Sequence, residues 1–196
     1  MSRRLIFTDG SVHTQSGIGY GAALALSEHE LARTPATLNA RVVVRKFTDT
    51  SSTKLELQTL LWALSDLPTS DAAVIVYTDS QNIISLPNRR PRFEAHNYHS
   101  KKGLPLRNAE LYQAFFRLFD RLNIELVKVK GHKSAKQKNP IDRMFTLVDR
   151  ASRNAHRHAS LRAPRTGSNI KPDAANKKAA PTNGSSLLKV NIPAGD

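Results

Sequence analysis

Two apolar runs in this chain end in the same way: Leu5-Ile6-Phe7 leads into Thr8-Asp9-Gly10-Ser11, and Val74-Ile75-Val76-Tyr77 leads into Thr78-Asp79-Ser80. Short bounded runs rich in β-branched and aromatic residues predict buried strands, here over residues 4–9 and 73–78. Gly17 through Ala25 predicts a strand that begins glycine-rich, Arg41 to Phe47 a β-branched one, and Ile124 to Val129 a fifth. Short links among the first three predict an antiparallel meander. From Lys54 to Leu67 the period changes, with Leu57, Leu60, Leu61, Leu64 and Leu67 marking one face of a helix that Pro68 ends. A short helix is expected from Ser80 and an amphipathic one over about Asn108 to Leu122. A last helix starts at the cap pair Asn139-Pro140 and reaches about Ala159. Pro87 to Leu106 reads as a long basic, proline-marked segment. The order βββαβα…αβα predicts an α/β domain over residues 1–159, a five-stranded mixed sheet flanked by helices.

From Ser160 the composition shifts to Pro, Ala, Asn, Lys, Gly and Ser, with too little apolar surface to offset ordering, so residues 160–196 are expected to form a disordered tail. The 196 residues carry 30 Lys and Arg against 16 Asp and Glu, a formal net charge of +14, of which the tail holds +4. Such an excess favours a polyanionic partner, because clustered cations steer and hold phosphate chains. With no Cys, a disulfide framework, a thiolate nucleophile and a cysteine-based zinc site are excluded. No stretch approaches the roughly 20 apolar residues of a membrane span, and Met1-Ser2-Arg3-Arg4 runs directly into a strand. The expectation is a soluble, cytoplasmic protein with no membrane contact, and nothing in the chain demands more than a monomer.

If the two matching runs are parallel neighbours, Asp9 and Asp79 emerge side by side at the carboxyl edge of the sheet, where open α/β sheets bind ligands. Two carboxylates so placed repel each other, and a divalent cation removes the conflict. Each acid also has an ordinary local explanation. Asp9-Gly10 is a common turn dipeptide, Asp79 can cap the helix after it, and Glu56 completes the capping box Thr53-Lys54-Leu55-Glu56. The conjunction is harder to dismiss, since Glu56 stands beside the buried stripe of its helix. Three or four carboxylates together suit the hard cations Mg²⁺ or Mn²⁺.

In sequence order, Thr8-Asp9-Gly10-Ser11, Gly19-Tyr20-Gly21-Ala22, Lys54-Leu55-Glu56-Leu57, Thr78-Asp79-Ser80-Gln81 and Val129-Lys130-Gly131-His132 resemble the successive signatures of type I ribonuclease H. The resemblance covers residues 4–158. It implies a ribonuclease H-like fold and an endonuclease that cuts the RNA strand of an RNA–DNA hybrid with two metal ions, leaving 5′-phosphate and 3′-hydroxyl ends. By position, Asp9, Glu56 and Asp79 are the first three metal-binding carboxylates, with Asp9 the bridging one. The family's fourth acid sits in a pattern like Ala-Asp-x-Leu-Ala. Val148-Asp149-Arg150-Ala151-Ser152 fits it best, while Asp142 lies nearer the offset from His132 seen in compact bacterial members. The two are seven residues apart and share a helical face, so periodicity does not separate them; Asp149 is preferred and Asp142 kept as the alternative. His132, in a Lys- and Ser-rich loop, receives a proton-transfer role from the resemblance, suited to an imidazole.

The resemblance also suggests where substrate is read. Ser51, Ser52 and Thr53 stand just before the catalytic Glu, where small polar residues meet 2′-hydroxyls, with Lys54, Ser11 and Gln81 nearby. The segment carrying Arg89, Arg90, Lys101 and Lys102 mixes basic and aromatic residues and matches in position a basic protrusion that grips the DNA strand. Two other classes stay open at this level: a catalytically silent hybrid- or duplex-binding module, and another nuclease of the same superfold.

Overall fold

The computed structural model describes residues 3–68, 72–130 and 134–162. Strand β1 (Arg4–His13) pairs antiparallel with β2 (Ile18–Ser27), from Arg4 opposite Ser27 to His13 opposite Ile18. On the far side of β2 lies β3 (Val43–Phe47), also antiparallel. β4 (Val74–Thr78) runs parallel to β1, and β5 (Ile124–Lys128) parallel to β4. The sheet order is β3-β2-β1-β4-β5, the five-stranded mixed sheet expected from the sequence. Each parallel step needs a crossover. Helix α2 (Ser52–Ser65) carries the chain from β3 across to β4. Helices α3 (Gln81–Ile84), α4 (Leu86–Ala95) and α5 (Ala109–Arg121) carry it from β4 to β5.

Alternation along β1 divides the core in two, as a period of two requires. Leu5 and Phe7 face α6 (Pro140–Arg162), joining Met144, Phe145, Leu147 and Val148, while Ile6 faces Leu57, Leu60, Leu64, Phe115 and Phe116 of α2 and α5. A fully buried side chain of this size contributes roughly 1.5–3 kcal/mol, so the four apolar residues of α6 are enough to fix that helix against the sheet. Among the described residues no helix is long and apolar enough to cross a membrane.

Several elements depart from the sequence expectation. The β2–β3 link is not a short turn; it holds a 3₁₀ turn, Glu28–Ala32, and a helix, α1 (Pro35–Asn39). The latter is begun by Thr34, whose hydroxyl accepts from the Thr37 amide, and is anchored by buried Leu38, in a stretch too short to show a period. β1 runs past its predicted end because Gly10 to His13 find ladder partners in Gly21 to Ile18, and β2 runs past Ala25 because Leu26 and Ser27 pair with Leu5 and Arg4. α4 forms inside the basic segment, with Pro87 in its first turn and Pro91 within it, so one ladder bond is forgone. α6 continues to Arg162, past the predicted end at Ala159. Residues 163–196, most of the predicted tail, lie outside the described residues.

Candidate active site

The register of β1 against β4 runs from Arg4–Val74 to Phe7–Tyr77, and carried two residues further it sets Asp9 level with Asp79. Both continue the alternate positions Phe7 and Tyr77, whose rings stack at 4.8 Å beneath them. Thr78 shapes the exit of β4: its hydroxyl accepts from the Ser80 amide at 3.1 Å, and its carbonyl accepts from Val129 N at 2.9 Å. Asp79 is left exposed at the sheet edge.

Helix α2 approaches this edge because two glycines let it. A Cβ on Gly21 would stand 2.0 Å from Thr59 Oγ1, and one on Gly19 would stand 2.7 Å from Leu55. The close approach sets the start of α2, with Glu56 in its second turn, against the start of α3. There Ser80 Oγ donates to Glu56 Oε2 at 2.5 Å.

None of the three local explanations holds. Asp9 and Gly10 are strand residues paired with Ala22 and Gly21, so they make no turn. The residue capping α3 is Ser80, whose hydroxyl accepts from Ile83 N, and not Asp79. Ser51 is the N-cap of α2, with no side-chain cap bond, and the Glu56 carboxylate turns to Ser80.

Helix α6 brings Ser152 and Asp149 to the end of β1. Ser152, fully buried, donates from its hydroxyl to Asp9 Oδ2 at 2.7 Å and lies 3.0 Å from the Asp149 carbonyl. One turn on, His156 Nδ1 meets Ser11 Oγ at 2.9 Å. Four helical residues rise about 6 Å and two strand residues about 6.6 Å, which is why Ser152 and His156 match Asp9 and Ser11. Asp149 is close enough for its charge to act on Asp9, and it pairs with Arg153 at 2.7 Å. Asp142 does other work: its Oδ2 accepts from Asn139 N at 3.0 Å, and its amide donates to Asn139 Oδ1 at 2.8 Å, a reciprocal cap.

Burial pushes the Asp9 carboxyl up to about 6, against the Ser152 hydroxyl that lowers it, with the charges of Asp79 and Asp149 adding to the rise. Burial likewise raises Glu56, opposed by Ser80 and reinforced by Asp79. Burial dominates both shifts, and the neighbouring charge of Asp79 adds to each. The donors are all carboxylate oxygens, the chemistry of a hard divalent cation. Among the described residues no three acids or histidines stand close enough to form a ready cage; Glu56 is turned to Ser80 and Asp149 to Arg153. The fit is thus one of donor chemistry and mutual repulsion. A cavity of about 450 Å³ opens beside Asp79 and Asp149, lined also by Lys130, Lys138 and Asp142.

The other expected residues are more scattered. Ser52 and Thr53 are exposed on the first turn of α2, and Ser51 is half-buried before it. Lys54 Nζ donates to the Asp49 carbonyl at 2.6 Å, and Gln81 Oε1 accepts from Lys128. Arg89 donates to the Asn82 carbonyl and side chain and lies over the rings of Phe93 and Tyr112. Arg90 forks onto Asp120, pairs with Glu94 and covers Phe116. Lys101 and Lys102 are exposed in the turn after α4. His132 lies outside the described residues. Sequence reasoning missed Ser152, Ser80 and Arg153. The signal for Ser152 was its place at the end of the Asp149 pattern, where the pattern has Ala.

The sequence profile of the family RNase H matches residues 1–153. The chain is similar to the ribonuclease H of Clostridium botulinum, 26% identical over 150 residues that cover 74% of this chain and 93% of the relative. It is 28% identical to the ribonuclease H of Acetivibrio thermocellus over 149 residues, covering 74% and 94%. With the ribonuclease HI of Haemophilus influenzae it shares 26% identity over 141 residues, covering 71% and 84%.

Proposed function

The chain belongs to the RNase H family, and from that premise we propose that it hydrolyses the RNA strand of an RNA–DNA hybrid with two Mg²⁺ ions, for which Mn²⁺ can substitute, leaving 5′-phosphate and 3′-hydroxyl ends. It is a ribonuclease H enzyme, of a family that generally uses divalent metal ions and acts on RNA–DNA hybrids. The observation that carries the finer reading is the set of mutually repelling acids around half-buried Asp9, for which the local explanations fail.

In this reading Asp9, Glu56, Asp79 and Asp149 hold the metal. Asp9 would serve both ions, Glu56 and Asp79 would serve one of them, and Asp149 the other. When bound, such a pair of ions supplies an activated water and neutralises charge on the phosphate and the leaving oxygen. The chain's part is to keep the acids ionised and aimed. Ser152 holds Oδ2 of Asp9, and Ser80 keeps Glu56 at the sheet edge. Phe7 and Tyr77 close the floor beneath and exclude water from below. Asp142 stays in its cap. His132 is assigned the proton transfer. Ser11, Ser51, Ser52, Thr53, Lys54 and Gln81 line the sheet edge and the start of α2 as substrate contacts. Lys101 and Lys102 are exposed cations of the α4–α5 arm open to a phosphate, while Arg89 and Arg90 brace that arm from within.

End-labelled RNA–DNA hybrid, incubated with Mg²⁺ or with EDTA beside duplex RNA, duplex DNA and single strands, tests the reading directly. RNA-strand cutting confined to the hybrid, lost in EDTA and in Asp79→Asn while binding persists, is expected. Cutting retained in Asp79→Asn, or binding without cutting in either metal, would overturn it.

A further inference from the structure

The outward face of α6 carries charge that neither the core nor the acid site uses. Arg143, Arg150 and Arg157 stand seven residues apart, two helical turns, and so form a row on one side of the helix with a rise of about 10.5 Å between members. The opposite side holds Met144, Val148 and Ser152, all buried, and the three arginines are exposed. A long surface helix commonly sets acids three or four residues from its bases, each pair worth a few tenths of a kcal/mol. Here the two acids lie on the neighbouring face, Asp142 buried in its cap and Asp149 paired with Arg153. Among the described residues Arg143, Arg150 and Arg157 have no carboxylate partner. The usual explanation of a charge run is a solvated face of mixed sign. A row of one sign with no acid among it gains nothing for folding and adds self-repulsion.

We infer that the outward face of α6 is a second nucleic-acid contact surface, taking the phosphate backbone of a duplex through Arg150 and Arg157, with Arg143 extending the row. Guanidinium groups spaced along a rigid helix suit a sequence-independent track of phosphates. The row belongs to the helix on one face of the sheet, while Lys101 and Lys102 lie in the turn between two helices packed on the other, so the two surfaces reach different stretches of one bound duplex. The inference rests on the proposed function only in taking a hybrid as the duplex.

Fluorescence anisotropy of labelled RNA–DNA hybrid with the full chain in EDTA, across a salt series, measures binding without hydrolysis. Arg150→Ala with Arg157→Ala is expected to raise the dissociation constant about tenfold near 0.1 M salt. The slope of log K against log salt should become shallower by about 1.8, two phosphate contacts. Arg150→Lys with Arg157→Lys should keep most of the affinity. Arg33→Ala with Lys46→Ala removes the same charge elsewhere on the exposed surface and should change the slope little. Unchanged affinity in the α6 pair, or an equal loss in the Arg33 and Lys46 pair, overturns the inference. A chain that shows the α6 effect yet cuts no hybrid in Mg²⁺ or Mn²⁺ would sink the proposed activity and leave this surface standing.

Discussion

Asp9 is where folding and chemistry pull in opposite directions. Its carboxyl is raised from an ordinary 3.8 to about 6, chiefly by burial. The folded state therefore holds the proton more tightly than the unfolded chain, and Asp9 favours folding fully below its unfolded value. That advantage is lost as pH rises through about 6, which amounts to about 3 kcal/mol in full, most of it between pH 4 and pH 8, in metal-free protein. Asp9→Asn should be the more stable protein in urea with EDTA at pH 8, by up to that amount, with the gain nearly gone at pH 4, and should cut no hybrid. Equal stability of the two at both pH values would show that Asp9 carries no such strain. Ser152 relieves part of it, because a hydroxyl donor to a buried carboxylate contributes about 1.5–3 kcal/mol. Ser152→Ala should lose about that much at pH 8 in EDTA and much less at pH 4, where the proton on Asp9 removes the charge. A loss independent of pH would make the serine mere packing.

At the scale of elements, the site depends on how closely α2 lies on β1 and β2. Thr59 Oγ1 is buried without a hydrogen-bond partner among the described residues and sits over Gly21. A methyl at Gly21 would drive α2 away from the sheet and carry Glu56 with it. Gly21→Ala should cost about 1–3 kcal/mol in urea unfolding and lower kcat, the cost of overpacking. Adding Thr59→Ala, which removes the nearest atoms, should recover part of both. A neutral Gly21→Ala would mean that the helix position is not set there. The elements were legible where their period was long. Leu57, Leu60 and Leu64 marked α2, and the two matching apolar runs marked β1 and β4. α1 was too short to show a period, and α4 was hidden by two prolines that its early turns tolerate.

The whole molecule divides its charge from its core. Both apolar clusters lie within the described residues up to Val148, with α6 running on to Arg162. A chain ended after Arg162 should keep its melting temperature to within about 3 °C, a change under about 1 kcal/mol for a domain of this size. A fall of about 10 °C or more would show that residues beyond 162 support the fold. The sequence by itself determined the strands of the sheet, the acids at its carboxyl edge and a strongly cationic surface, because periodicity and residue chemistry are local properties of the chain. Tertiary structure decided the partners. It set Ser152 against Asp9 across 143 positions, turned Glu56 to Ser80, brought Asp149 beside Asp9 while Asp142 went into a cap, and spent Arg89 and Arg90 inside the arm. Asp142 and Asp149 share a face of one helix. Only the crossing of that helix over β1 tells them apart, because which of two equivalent turns meets an acid depends on where distant elements touch.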